Sequence, residues 1–280
     1  MFEAIVIGGG PAGLQAALSL GRVHRRTLLL DSGEYRNATV EHSHNLLTRD
    51  GTAPAELRAQ ARRELAEYRT VEVRDGAVYE VRPTENGFTV SLAQGEDVQA
   101  ARVILATGVR DELPDIPGLA AEWGRRVAQC PFCHGHEFAG LAVAVALDDE
   151  HARIVRGMLD PIVSEIVVVS PVELARVVSE DDGIRLELND SISHTVGGMF
   201  IAPVPAQRAP FAEQLGCRML PSGAVEIDPV GHTSVERVYA AGDMAHVAAL
   251  PAPVVSLAAA IAAGQVAASA VVRDSILHGP

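Results

Sequence analysis

A short apolar run, Ala4-Ile5-Val6-Ile7, leads directly into Gly8-Gly9-Gly10-Pro11-Ala12-Gly13. No other stretch restricts the fold as much. An apolar run this short reads as a buried parallel strand. Leu14 to Leu20 reads as a helix, and Thr27-Leu28-Leu29-Leu30 as a second strand ending at Asp31. The order is strand, glycine turn, helix, strand, acid. Gly8 permits the tight turn, Gly10 lets backbone approach a pyrophosphate, and Gly13 lets helix and strand pack closely. The helix N-terminus favours negative charge. Asp31 stands near the spacing at which a carboxylate takes ribose hydroxyls. A purely structural glycine turn is the alternative, but the position between strand and helix favours a dinucleotide site.

Further along, Thr52 to Leu65 reads as a capped helix. Val71-Glu72-Val73 and Phe88 to Leu92 alternate as strands, with Asn86-Gly87 as a turn between them. Ala101 to Ala106 is another buried strand, ending in Thr107-Gly108, where a glycine marks either close ligand approach or a plain turn. Leu113 to Gly118, with Pro114 and Pro117, reads as a linker and domain crossing. Leu141 to Leu147, Arg153 to Leu159 and Ile166 to Val169 form a second strand–helix–strand unit. Pro203, Pro205 and Pro210 mark the return. Val238-Tyr239-Ala240-Ala241-Gly242-Asp243 is a strand and an acidic turn, and an alanine-rich helix follows. The expected class is α/β, with two Rossmann-like dinucleotide-binding domains, the second inserted in the first and shortened. The expected boundaries are 1–116 with 208–280, and 117–207 for the insert.

Composition narrows the function classes. The formal net charge is −13, from 23 basic and 36 acidic side chains, which argues against nucleic acid or an anionic membrane as partner. Three cysteines in 280 residues do not make a disulfide-stapled design. Met1 to Ile7 runs straight into the glycines and reads as strand rather than signal peptide. No run of about 18 apolar residues is expected to span a bilayer. Val254 to Val272 comes nearest, but it carries Ser256, Gln265 and Ser269 and reads as a buried helix. A cytoplasmic protein is the expectation.

The chemistry concentrates in Cys130-Pro131-Phe132-Cys133-His134-Gly135-His136. Two cysteines at this spacing can close a small disulfide ring, bind a metal or shuttle two electrons. An imidazole alongside can move the accompanying proton. Zinc would need His134 and His136 as further ligands, and both stand too close to the cysteines for a comfortable tetrahedron, so no metal is expected. Cys217 reads as a small buried hydrophobe. His42, His232 and His246 read as surface or loop residues. Glu56, Arg62, Arg63 and Glu67 read as a solvated helix face. Trp123 is expected to pack beside the dithiol loop.

Four motifs in order now resemble a known family. Gly8 to Gly13, Ala106-Thr107-Gly108, His44-Asn45 and Thr233 to Asp243 are similar to signatures of the low-molecular-weight thioredoxin reductases. The resemblance covers nearly the whole chain. It implies FAD as cofactor, a homodimer and a flavin site drawn from Gly8, Gly10, Pro11, Ala12, Gly13, Asp31, Ser32, Asn45, Ala77, Ala106, Thr107, Gly108, Gly242, Asp243, Val255 and Ser256. Within the family the form Cys-x-Phe-Cys-His-Gly resembles dithiol oxidases of natural-product pathways, which close disulfides in compounds of the gliotoxin and holomycin kind. Ordinary thioredoxin reductases carry an aspartate where His134 stands.

One departure sets the expected direction of electron flow. The second unit should carry a glycine loop after Leu147 to bind NADPH, and the chain reads Asp148-Asp149-Glu150-His151 there. Acids would repel a pyrophosphate, and no glycine lets backbone approach it. Ser170-Pro171-Val172-Glu173 supplies no arginine for a 2′-phosphate. NAD(P)H is therefore not expected to bind. The expected reaction takes two electrons from a small-molecule dithiol through Cys130 and Cys133 to flavin and then to O2, with His134 as base and His136 as its candidate partner. A disulfide reductase fed by an unusual NAD(P)H site or ferredoxin, and a flavin redox sensor without turnover, are the alternatives.

Overall fold

The computed structural model describes residues 1–93 and 95–279, and the side chain of Asp149 lies outside the described set. The chain divides into two compact units. The first is Met1–Arg36, Ala55–Arg110 and Pro205–Pro280; the second is Asn37–Pro54 and Asp111–Val204. The segment 37–54, expected in the first domain, groups with the second. Its reason is local packing: Gly124 stands so close to Thr39 and Val40 that a Cβ there would meet them at 2.6 and 3.1 Å, and Glu41 and His44 face Arg125 and Glu137.

The first unit opens with β1 (Phe2–Ile7), α1 (Pro11–Arg22), β2 (Thr27–Asp31), α2 (Pro54–Leu65), β3 (Val71–Asp75), β4 (Val78–Thr84), β5 (Gly87–Leu92) and β6 (Asp97–Leu105). Helix α1 starts at Pro11, three residues before the apolar periodicity, because proline at the first helical position loses no hydrogen bond and arrives with a helical φ. β4 is a strand that the sequence reading missed. It forms a hairpin with β5 around Glu85-Asn86 and lies at the sheet edge, where Pro83 costs no ladder bond to a further strand. β7 (Val109–Glu112) then leads out of the unit.

The second unit contains α3 (Leu119–Glu122), β8 (Val127–Ala128), α4 (Pro131–His134), β9 (Ala142–Ala146), α5 (Asp149–Leu159), β10 (Glu165–Val168), β11 (Leu174–Glu180), β12 (Gly183–Leu188), β13 (Ser193–Val196) and β14 (Gly198–Ile201). Its parallel sheet runs β10-β9-β14-β8. An antiparallel sheet, β11-β12-β13, fills most of the stretch expected to be merely shortened. Trp123 packs against this unit's core around Leu119, Val127 and Met199.

The chain returns through β15 (Val204–Gln207), α6 (Phe211–Gln214), β16 (Val225–Ile227), β17 (Val238–Ala240), β18 (Ala245–Val247) and α7 (Leu257–His278). The main sheet of the first unit has the order β3-β2-β1-β6-β5-β4. β6 pairs with β1 and is long enough to serve two further strands: Asp97–Ala100 pair antiparallel with β5, and Val103–Leu105 pair parallel with β17. Alternation along β1 sorts the core, with Ile5 and Ile7 on one face and Ala4 and Val6 on the other. The Ala4 face is covered by α1 and α7. These helices meet through small residues, and a Cβ at Gly264 would lie 2.0 Å from the Ala12 carbonyl oxygen. Among the described helices α7 is the one long and apolar enough to cross a membrane by length and composition. Only a third of its apolar window is buried, through the stripe Ala260, Gly264, Ala267, Ala268, Ala270 and Val271, so the buried helix expected from the sequence is buried on one side only.

Candidate active site

The first unit presents an anion cradle. β1 ends at Ile7, and Gly8, Gly9 and Gly10 alone connect it to α1. A Cβ on Gly8 would lie 2.2 Å from the Ala106 carbonyl oxygen, and one on Gly13 would lie 1.8 Å from the Gly8 carbonyl oxygen. Both positions therefore require glycine. At Gly10 nothing stands within 4 Å. No side chain caps α1 and no acid occupies its first turn, so the free N–H groups of the helix start face open space. A pyrophosphate of FAD fits this cradle in charge and in room.

Asp31, at the end of β2, is 1% exposed. Its Oδ2 accepts from the Tyr35 hydroxyl and from Arg62 at 2.6 Å each, and its Oδ1 accepts from the Gly33 N–H at 3.0 Å. Of roughly four acceptor positions on a carboxylate, three are committed to protein donors. Burial pushes the Asp31 pKa up, but the hydrogen bonds from Tyr35, Gly33 and Arg62 outweigh it and hold the carboxyl below its ordinary value. Arg62 also bonds Asp75 at 2.6 Å, so it is not part of a plain solvated face as its helical spacing suggested. Arg58 lies over the Tyr35 ring at 3.7 Å and completes the cluster.

The remaining expected flavin residues fall in distinct settings. Ala106 is buried and its N–H bonds the Ile7 carbonyl. The Thr107 hydroxyl points to Met244 Sδ at 3.4 Å, and the Gly108 carbonyl accepts from the Arg208 N–H. Ser32 is exposed beside the Asp31 cluster, and Ala77 is exposed between β3 and β4. Gly242 has φ +84° and leads to Asp243, whose Oδ2 accepts from Arg36 at 2.8 Å. The sequence reading missed Arg36, since 207 residues separate the pair. Val255 is exposed, and Ser256 caps α7, its hydroxyl accepting from the Ala259 N–H at 3.0 Å. That hydroxyl thus has a structural task the resemblance did not imply. Asn45 lies with the second unit, in left-handed backbone at φ 60°, its N–H bonded to Asp50 Oδ1 at 2.7 Å.

The second unit carries the dithiol motif. Cys130 is the N-cap of α4, Pro131 is its first residue, and the Cys133 and His134 N–H groups return to the Cys130 carbonyl at 3.1 and 3.2 Å. One helical turn thus brings residues 130 and 133 to the same side. Both cysteines are half-buried, and Phe132 between them is exposed. His134 is half-buried, and its Nδ1 is enclosed with no hydrogen-bond partner. Burial pushes the His134 pKa down; Glu137 opposes, His44 adds to the lowering, and the Gly124 backbone opposes. His136 is exposed. The acid next to it, Glu137, lies 3.4 Å from His44 Nε2.

The second strand–helix junction differs from the first. Only Leu147 and Asp148 separate β9 from α5. Asp148 caps the helix, its carboxylate accepting from the His151 N–H at 2.9 Å. A carboxylate therefore meets an N–H group at the start of this helix. Of the acids expected to repel a nucleotide, the Asp149 side chain lies outside the described residues.

Three side chains read as ordinary have particular settings. His246 is buried and hydrogen-bonded to Ser222 and the Val247 carbonyl. His232 bridges Asp228 and Asp274, at 2.7 Å to each. Cys217 is buried, 3.6 Å from the Thr233 hydroxyl, and burial pushes its thiol pKa up. Among the described residues no cluster of three or more metal-ligating side chains exists.

Comparison with known proteins identifies relatives and a family. The profile of the pyridine nucleotide-disulphide oxidoreductase family matches residues 2–155. A probable thioredoxin reductase of Arthroderma benhamiae is 43% identical over 49% of this chain; that match spans about a third (35%) of the relative's length. The thioredoxin reductase aclD of Aspergillus oryzae is 32% identical, over 87% of this chain and 88% of its own. An oxidoreductase from Agrobacterium tumefaciens has a similar solved structure, with a TM-score of 0.88 and 31% identity over 99% of each chain.

Proposed function

Because the chain belongs to the pyridine nucleotide-disulphide oxidoreductase family, as a thioredoxin reductase-like flavoenzyme, we propose that it is a dithiol oxidase. The net reaction closes a disulfide in a small-molecule dithiol and turns O2 into hydrogen peroxide. One contrast carries the reading. The glycine junction before α1 is open and uncapped, whereas the junction before α5 is short, acidic and closed by Asp148. The first suits a flavin dinucleotide, and the second does not suit NAD(P)H.

FAD, when bound, supplies the two-electron acceptor that O2 reoxidises. Gly8, Gly10, Pro11, Ala12 and Gly13 would hold its pyrophosphate. Asp31, Ser32 and Ala77 would serve the adenosine end, and Asn45, Ala106, Thr107, Gly108, Gly242, Asp243 and Val255 the remainder. In the oxidised protein Cys130 and Cys133 form a disulfide. A substrate thiolate attacks Cys130 and releases Cys133 as thiolate. The second substrate thiolate then attacks the mixed disulfide, so the product leaves as an intramolecular disulfide and Cys130 leaves as a thiolate. His134 accepts a proton from a substrate thiol, its enclosed ring kept neutral by burial until the thiol is presented. The family resemblance supports a homodimer, and the sequence reading adds a cytoplasmic location to the proposal.

Relatives that carry the name thioredoxin reductase favour a second reading, a disulfide reductase. Oxygen uptake separates the two. With a dithiol and no pyridine nucleotide, the oxidase consumes O2 and forms one peroxide per disulfide. NADPH-driven reduction of a disulfide, with no uptake on dithiol alone, would favour the reductase.

A further inference from the structure

The turn from Asp228 to His232 grips α7 at two points. It is closed on itself: Asp228 Oδ1 accepts from the Val230 and His232 N–H groups at 2.9 and 3.0 Å, and the Asp228 N–H bonds the His232 carbonyl at 3.0 Å. The Ala240 N–H bonds the Gly231 carbonyl at 3.0 Å and ties the turn to β17. Gly231 lies against α7, where a Cβ would stand 3.2 Å from the Ala267 Cβ. Further along the helix, His232 Nε2 reaches Asp274 Oδ2 at 2.7 Å, while Nδ1 reaches Asp228 Oδ2 at 2.7 Å. Asp228 belongs to the turn and Asp274 to the helix, so the ring joins the two elements.

The same helix backs the anion cradle. Gly264 presses on the start of α1, where a Cβ would lie 2.0 Å from the Ala12 carbonyl oxygen, and Ala12 is the second residue of α1. At 1.5 Å per residue, Gly264 and Asp274 are about 15 Å apart on one continuous helix. Several other groups surround the ring. Tyr239 of β17 lies 5.2 Å away, ring to ring, and donates to Asp274 Oδ2 at 2.7 Å. Arg273 stands 3.3 Å from Asp274 Oδ1. Arg102 of β6 is buried, faces Tyr239 and donates to the Gly279 carbonyl just beyond α7 at 2.6 Å.

We propose that His232 is a proton-operated clasp on α7, and that retention of FAD in the glycine cradle follows its state. The inference rests on the reading of that cradle as the FAD site. With both ring nitrogens protonated, the turn and α7 are joined, and α7 supports the first turn of α1. A neutral ring has one N–H, so one of its two carboxylates faces a lone pair and one bond is lost. The turn and the last turns of α7 then part more often, and local opening of that kind frees the cradle to release its ligand. Bonding to both carboxylates raises the folded pKa of His232 despite burial. The clasp is therefore fully closed below about pH 6.5, the unfolded value, and opens as pH rises through the higher folded one.

Release of FAD from the holoprotein tests this, read as the rise of free-flavin fluorescence after dilution at pH 6 and at pH 8.5. Wild type should release about three- to tenfold faster at pH 8.5. His232→Asn removes the titrating ring, and Asp274→Asn cuts the link to the helix while sparing the pair within the turn. Both should release at pH 6 nearly as fast as wild type does at pH 8.5, and change less than about twofold between the two. Wild-type release that does not rise with pH, or a full pH response surviving in either variant, overturns the proposal. Hydrogen exchange of the amides of 270–278, corrected for the intrinsic rate at each pH, reports on the clasp without the flavin. If the protein neither carries nor takes up FAD, the cradle reading fails. Exchange that rises at pH 8.5 in wild type and not in His232→Asn then still upholds the clasp, and equal exchange overturns it.

Discussion

His232→Asn offers a test of the electrostatics in which charge, geometry and pH all enter. In the wild type the ring lies between two carboxylates, 2.7 Å from Asp228 Oδ2 and 2.7 Å from Asp274 Oδ2, and Tyr239 donates to the same Asp274 oxygen. Carboxylates only accept, so both contacts are hydrogen bonds only when both ring nitrogens carry protons. Burial pushes the His232 pKa down, but bonding to Asp228 and Asp274 outweighs it and leaves it raised. For Asp228 and Asp274 burial acts upward, and hydrogen bonds, His232 among the donors, leave both lowered.

A raised histidine stabilises fully below its unfolded pKa, about 6.5, and that contribution is lost as pH rises through the folded value. The lowered carboxylates stabilise above about pH 4 and lose that contribution on further acidification. The cluster is therefore strongest between roughly pH 5 and 6.5. Two charge-assisted bonds would contribute about 3 kcal/mol if enclosed. Asp228 is 45% exposed, so solvent screening reduces the sum to about 1–2 kcal/mol. For a protein of this size the variant should melt about 2–3 °C lower near pH 6. At pH 8.5, where one neutral hydrogen bond remains, the difference should fall below about 1 °C. Thermal melting of the holoprotein in excess FAD at both pH values measures it. A difference that is equal at both, or larger at pH 8.5, refutes the reasoning.

Other substitutions probe other parts. Gly13→Val places a Cβ where only 1.8 Å separates it from the Gly8 carbonyl oxygen, so the purified protein should carry little or no flavin, read from its visible spectrum. Arg62→Met removes the guanidinium hydrogen-bonded to the buried Asp31 carboxylate, leaving Arg58 as the nearby cation, and should cost about 2 kcal/mol, measured by urea unfolding. Asp148→Ala removes the α5 cap and should cost about 1 kcal/mol. NADPH should still fail to reduce the flavin of that variant, because Leu147 and residue 148 supply no glycine loop.

The legible parts of this fold were those with a local cause. β1, α1 and β2 follow from three glycines between an apolar strand and a helix, and the dithiol turn follows from its own spacing. β4 was illegible because Glu80, Arg82 and Pro83 break the pattern of a strand, and only its place at the sheet edge tolerates them. β11 to β13 went unassigned in the sequence reading, where the second strand–helix–strand unit was followed directly by the prolines of the return. The ion pairs were harder. Arg62 looked like one of several helix charges, and its role depends on Asp31 lying 31 residues earlier. Arg36 and Asp243, and His232 and Asp274, are brought together by the sheet and by α7, which no local pattern encodes. The His44–Glu137 contact joins positions 93 residues apart, and His136 drew attention instead.

Stopped-flow absorbance of the holoprotein without oxygen tests the direction of electron flow. One sample is mixed with a small-molecule dithiol and another with NADPH. A dithiol oxidase predicts flavin bleaching by the dithiol, lost in Cys133→Ser, and an unchanged spectrum with NADPH. Rapid bleaching by NADPH, with none by the dithiol, would contradict it.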